Sequence, residues 1–325
     1  MVAVGIFCGI FFSDKFALSK DDLLLSNANT VIYDKDGTVI AELSGNENRK
    51  IISIGDMCQY LPKAFVAIED ERFYSHNGVD LKRTLAATTT YILKGDSSFG
   101  GSTITQQLIK NITDERENSG KAGVERKIKE MSRAYQVEKM ISKDQILELY
   151  LNIIPLGADG GDICGVEMAS TYYFNKSASE LSVEECAFLA GINNAPNTYN
   201  PFKNENDATK QEQVNKKIKD RTKTVLTKMK DLGYITDEQY KTAYDNVEKG
   251  LQFSKGTLPG SSVKSYFIQA AIDEVVNDLV NEKNYSVEYA KNRVYGGGYK
   301  IYTTQSKDVQ DKIESVYKSD EFVLN

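Results

Sequence analysis

Between about Asp56 and Ala243, apolar residues return every three to four positions with few interruptions. That period lets a helix bury one face, whereas a half-buried strand alternates every second residue. The span is therefore expected to be mainly α-helical. In FGGSTITQQLIKN, Ile104, Leu108 and Ile112 fall four apart and form an ordinary buried face. The other side carries Thr103, Gln107 and Lys110, with Gln106 beside them. Neutral hydrogen-bonding groups ending in one cation are an unusual choice for a solvated face.

Polar stretches punctuate the helical pattern at Lys94–Gly101 and Asp114–Gly123. The second is charged and poor in apolar residues, so it is expected to be mobile, with a helix opening at Glu125 and running to about Ile141. Ser142 and Gln145, just before ILELYLN, form a capping-box pattern. Asn193–Phe202 reads as a proline- and asparagine-marked loop. Lys210–Lys230 reads as an amphipathic helix with a solvated lysine face, and contact with anionic lipid is the alternative.

The flanks differ in character. Residues 30–43 give two short strands around Asp34–Gly37, a hairpin signal. A helix at Tyr266–Val280 and a strand at Tyr299–Thr304 follow a looser stretch after Gly250. The division expected is an apolar segment at 1–12, a hairpin linker at 28–55, a helical domain at 56–243, and a linker with the start of a second domain at 244–325. Residues 1–12, MVAVGIFCGIFF, are too short to span a bilayer and read as the last part of a membrane anchor.

Net charge is −6, from 40 basic and 46 acidic residues, which argues against bulk nucleic-acid binding. Four cysteines lie far apart without C-x-x-C spacing. His76 is the only histidine, so a multi-histidine metal site is excluded.

Three stretches carry possible chemistry. Glu69 and Asp70 end an apolar helix segment and are followed by Phe73, Tyr74 and His76. A carboxylate beside aromatic surface is partly desolvated, which suits it to general-base work. Gly100-Gly101 leads into a helix N-terminus at Ser102-Thr103, where free N–H groups make an anion site. Arg126, Lys127 and Glu130 are helical neighbours that can hold a diphosphate, with the carboxylate supporting a divalent metal or developing charge. Each alone has an ordinary reading: a surface acidic pair, an N-cap, a salt bridge.

Together with KDQILELYLNIIPLG and GVEMASTYYFNKSASELSVEECAFLAGINNAPNTYNPF, these stretches resemble the peptidoglycan glycosyltransferase domain of class A penicillin-binding proteins. Five motifs stand in that family's order across about residues 55–235. The resemblance implies a mainly α, lysozyme-like fold and inverting polymerisation of lipid II into β-1,4 glycan, with release of undecaprenyl diphosphate. By position it makes Glu69 the general base and Asp70 its adjacent acid, and His76 a residue that shapes the site. Thr103, Gln107, Lys110 and Asn111 match donor-site contacts, and Gln106 beside them joins the substrate-binding set. Arg126 and Lys127 match diphosphate contacts, and Glu130 the second essential carboxylate and metal ligand, with Mg²⁺ or Mn²⁺ as cofactor. Tyr150, Asn152, Gly165 and Tyr173 are implied to build the scaffold. Ala169-Ser170 stands where two alanines are usual.

The implied partners are lipid II, the nascent glycan strand, a membrane on whose extracytoplasmic face the domain works, and other cell-wall synthesis proteins. A lysozyme-like hydrolase and a non-catalytic lipid II-binding module are the competing readings. Ser261–Lys264 and Ser315–Lys318 fit the S-x-x-K pattern of a penicillin-reactive nucleophile, but neither is followed by S-x-N or K-T-G, and both read as coincidence.

Overall fold

A computed structural model of the chain describes residues 18–23, 30–43, 50–84, 101–113, 120–157, 163–204, 206–257 and 265–318. They fall into two compact units, one of residues 1–24 and 48–258, the other of 25–47 and 259–325. The described chain is mainly helical with one small three-stranded sheet, as the periodicity requires.

In the larger unit the helices are α1 (Tyr60–Glu69), α2 (Ile104–Ile112), α3 (Gly120–Met140), α4 (Lys143–Ile153), α5 (Val166–Phe174), α6 (Val183–Ile192), α7 (Ala208–Asp231) and α8 (Asp237–Lys249). Helix α6 is its centre. From Glu185 to Ile192 every residue of it is buried. It packs on α1 and α7, while α2 packs on α3 and α4. Four of these helices start on a reciprocal Ser/Thr–Gln/Glu cap: Thr103 with Gln106, Ser142 with Gln145, Ser182 with Glu185, and Thr236 with Gln239. Each such cap satisfies two backbone donors that a helix start otherwise leaves open. Helix α7 turns Ile218, Thr222, Val225, Leu226 and Met229 inward and leaves most of its lysines toward water, the expected amphipathic arrangement.

Three scaffold expectations gain a physical content. Asn152 clamps the segment before α1, accepting from Ile52 N at 3.0 Å and donating to Ile52 O at 2.9 Å. Gly165 begins α5 at φ 81°, and a Cβ there would lie 2.5 Å from the Asn152 carbonyl oxygen. A side chain at that point would both strain and clash. The Tyr173 hydroxyl donates to Leu156 O at 3.0 Å, and its ring sits in an aromatic cluster with Phe188 and Phe202.

Two boundaries differ from expectation. Helix α3 begins at Gly120, not Glu125, so residues 120–123 of the stretch expected to be mobile are helical, and 114–119 lie outside the described residues. The larger unit also continues to 258, past the expected limit at 243. The reason is aromatic burial after the last helix. Phe253 stacks on Phe174 and meets Phe188 edge-on, while Ser254 N and Gly256 N donate to Tyr173 O and Tyr172 O.

The smaller unit holds α9 (Tyr266–Lys283), α10 (Val287–Gly296) and α11 (Lys307–Lys318). Its sheet has β1 (Thr30–Tyr33), β2 (Val39–Leu43) and β3 (Lys300–Tyr302) in the order β2-β1-β3. The hairpin forms as expected, and β3 adds parallel to β1. The hairpin therefore belongs with the C-terminal segment and is not a separate linker. Among the described residues no helix is long and apolar enough to cross a membrane, and residues 1–12 lie outside them. Ser261 also lies outside them. Ser315 is exposed on α11 and gives its hydroxyl to Lys312 O, an ordinary helix-surface bond.

Phe253→Ala is expected to destabilise the larger unit by about 1–3 kcal/mol, the scale of losing a half-buried aromatic ring with its ring partners. Urea unfolding followed by tyrosine fluorescence measures it. A midpoint unchanged from wild type would detach residues 251–256 from this unit.

Candidate active site

Helix α1 ends at Glu69, and this carboxylate and the next, Asp70, diverge at once. Glu69 is partly exposed, whereas Asp70 is fully buried. Asp70 accepts from Ile104 N at 3.0 Å, the first residue of α2. Its two oxygens lie 3.1 and 3.0 Å from His76 Nε2. A carboxylate in this setting accepts, so Nε2 carries the proton. His76 in turn packs edge-on against the buried Phe73 ring. The desolvated carboxylate of the aromatic wall is thus Asp70, with His76 between it and Phe73.

This changes the reading of the α2 N-terminus. A helix start attracts an anion, and here the anion is the protein's own Asp70. The site expected there for substrate is filled from within. Thr103 and Gln106 are fully buried and serve the same junction. Thr103 Oγ1 accepts from Gln106 N at 3.1 Å and donates to Gly78 O at 2.6 Å, and Gln106 Oε1 accepts from Thr103 N at 2.9 Å. In this structure both act as the cap of α2. Gly78 has φ 82°, and a Cβ there would lie 2.6 Å from the Ala134 carbonyl, so the loop can approach α3 only as glycine.

Gln107 does face Glu69. Its Nε2 donates to Glu69 Oε2 at 2.8 Å, and its Oε1 accepts from the Tyr150 hydroxyl at 3.0 Å. Among the described residues, none donates to Glu69 Oε1. Arg83 donates to the Glu69 backbone carbonyl and fixes the end of α1. Ile104 and Leu108 are buried on the other side of α2, and Lys110 is exposed in its last turn, with Asn111 half-buried next to it.

Glu130 is placed differently. It is buried on α3, with Arg126 Nη1 2.9 Å from Oε2 and Lys127 Nζ against Oε1. Lys127 Nζ also donates to Ser102 Oγ at 2.7 Å. The Arg126 and Lys127 side chains remain 17% and 34% exposed, so an incoming anion can reach both cations. Ser102 lies just before the α2 cap and Gln107 within α2, so Glu69 and Lys127, which pairs with Glu130, are tied to the same short stretch of chain.

A resident divalent metal does not fit these residues. Both Glu130 oxygens already meet cations, and the described residues contain no group of three or more His, Cys, Asp or Glu side chains able to hold a metal. A cavity of about 700 Å³ lies beside the wall, against Arg72, His76, Asp80 and Tyr135. Neither glutamate lines it, so it has no part in the reaction described below.

A family profile described as Transglycosylase matches residues 36–230, more than half of the chain. The chain belongs to the transglycosylase family. Among its relatives, penicillin-binding protein 1A of Clostridium botulinum (strain Langeland) is 39% identical over 334 residues, covering 100% of this chain and 39% of that protein. Penicillin-binding protein 1F of Bacillus subtilis is 33% identical, covering 96% of this chain and 40% of that protein. The chain thus spans about two-fifths of the length of these curated relatives. A crystal structure of penicillin-binding protein 1A from Haemophilus influenzae is 24% identical, covers 90% of this chain and 29% of that chain, and has a TM-score of 0.36.

Sequence reasoning missed three residues of this candidate site. Arg83 and Asn193 act through contacts that no local pattern announces. Ser102 was read only as part of a helix start. The buried role of Asp70 has a direct consequence. Asp70→Ala is expected to lower stability by about 3–5 kcal/mol, because His76 and the α2 start lose a buried charged partner. Glu69→Gln, at a half-exposed position with a neutral donor, is expected to leave the melting temperature within a few degrees. Thermal unfolding by circular dichroism compares the two, and equal shifts would contradict the division of roles.

Proposed function

We propose that this chain is a peptidoglycan glycosyltransferase that polymerises lipid II with inversion at the anomeric carbon. The observation that carries the reading is the contrast between the two glutamates. Glu69 is half-open and held at one oxygen by a neutral amide, and among the described residues nothing donates to its other oxygen, which can take a proton. Glu130 is buried under two cations, so it cannot serve as a base but can hold those cations in place.

In this reaction the 4-hydroxyl oxygen of the acceptor disaccharide attacks C1 of the donor sugar. Glu69 accepts the hydroxyl proton, and the bond from C1 to the diphosphate oxygen breaks. The electron pair leaves with undecaprenyl diphosphate. Arg126 and Lys127 meet the charge that grows on that group, since preorganised cations act most strongly where charge develops. Placing base and leaving group on either side of one sugar suits an inverting displacement, where carboxylates stand roughly 6.5–9.5 Å apart in the related hydrolases. No step is assigned to Mg²⁺ or Mn²⁺, because the donor set is already compensated by cations. A lipid-linked substrate implies work at the extracytoplasmic membrane surface, and the apolar run at 1–12 is compatible with it.

A glycan hydrolase would also use a base like Glu69, but a glycan chain offers no diphosphate for Arg126 and Lys127. The test is incubation of the purified protein with lipid II in detergent, and separately with polymerised glycan. Polymer from the first and no cleavage of the second is expected. Glu69→Gln should slow polymerisation by about 10²–10⁴-fold, the usual contribution of a general base. More than a tenth of wild-type turnover in that variant, or cleavage of glycan by the wild type, would overturn the reading.

A further inference from the structure

Glu69 is the last member of a hydrogen-bonded chain that crosses the interior of the larger unit. Asn193 Nδ2, at the end of α6, donates to the Tyr150 hydroxyl oxygen at 3.1 Å. That hydroxyl donates to Gln107 Oε1 at 3.0 Å, and Gln107 Nε2 donates to Glu69 Oε2 at 2.8 Å. The polarity can be read from the charged end. An ionised carboxylate only accepts, so Gln107 must turn its NH₂ toward Glu69 and its carbonyl toward Tyr150. Tyr150 must then give its proton to Gln107, and its oxygen is left to accept from Asn193.

We propose that Tyr150 and Asn193 are positioning residues for the general base: they lock the Gln107 amide in the one orientation that presents a donor to Glu69. The inference rests on the reading of Glu69 as the base. Glu69 selects the NH₂ end of the amide and the tyrosine hydroxyl anchors its oxygen end; without that hydroxyl the amide is held at one end only, and the donor shifts together with the carboxylate it holds. Tyr150 is completely buried, and burial together with the nearby Glu69 charge holds its hydroxyl well above the usual tyrosine range, so its proton stays on to be donated. Its ring is fixed edge-on against Phe65, a core residue of the helix that ends in Glu69. Sub-ångström misplacement of a base lowers turnover without weakening substrate binding to the same degree.

The test uses the full chain and three variants, Tyr150→Phe, Asn193→Ala and Gln107→Leu, with two readouts. The first is steady-state polymerisation of lipid II. Tyr150→Phe is expected to lower kcat by about 10–100-fold with KM within about two-fold, in line with the cost of small misplacements. Asn193 is half-exposed, so its alanine variant keeps the test open if Tyr150→Phe folds poorly, and a smaller loss of kcat is expected from it. In the Gln107→Leu background, Tyr150→Phe should add less than about a two-fold further loss, because its effect passes through the missing amide. The second readout needs no activity. The Gln107 side-chain NH₂ signals in a ¹⁵N–¹H spectrum, identified by their loss in Gln107→Leu, should be inequivalent and slow to exchange in the wild type. They should collapse toward free-amide positions in Tyr150→Phe. Unchanged NH₂ signals in both Tyr150→Phe and Asn193→Ala would overturn the relay, as would full additivity with Gln107→Leu. If the wild type makes no polymer, the functional reading fails, and the amide signals still decide the relay.

Discussion

The buried carboxylate of Asp70 is the joint on which the site is built. It receives the first backbone N–H of α2 and the imidazole of His76, and so fastens the end of α1 to the start of α2 across 34 residues of chain. An uncompensated charge in such a place would cost several kcal/mol. The helix start and the imidazole make it tolerable by supplying donors and positive potential. Once this joint is made, α2 has a fixed direction, and Gln107 on its next turn falls opposite Glu69.

Adjacent acids thereby take opposite tasks. Asp70 is sealed and structural, while Glu69, one residue earlier at the end of α1, stays partly exposed beside Gln107 of α2. The second glutamate repeats the theme in reverse: Glu130 is sealed, but the cations it holds are not. Transglycosylase chemistry of the kind proposed needs a neutral surround for the base and a positive surround for the departing diphosphate. Carrying the base at the end of α1 and the cations on α3 keeps the cations from quenching the base.

How much of this the sequence revealed depends on how local each interaction is. The Ser142–Gln145 cap was read directly, because all its atoms lie within one turn. Thr103–Gln106 carries the same T-x-x-Q signature, yet its placement in a polar stripe drew a binding interpretation, and burial shows it to be a cap. Helix α3 starts at a glycine, which propensity alone would not choose. The contact of Phe253 with Phe174 and the reach of Asn193 to Tyr150 join residues 79 and 43 positions apart, beyond any periodic pattern. The family resemblance named Glu69 and Glu130, but their unlike surroundings emerged only from the fold.

The most direct test of the account is a crystal structure of the chain with a non-reactive lipid-linked disaccharide diphosphate. The diphosphate oxygens are expected within hydrogen-bonding distance of Arg126 and Lys127, with the donor C1 between them and Glu69 Oε1. A diphosphate bound away from both cations, or a Glu69 carboxylate on a different surface from the sugar, would contradict it.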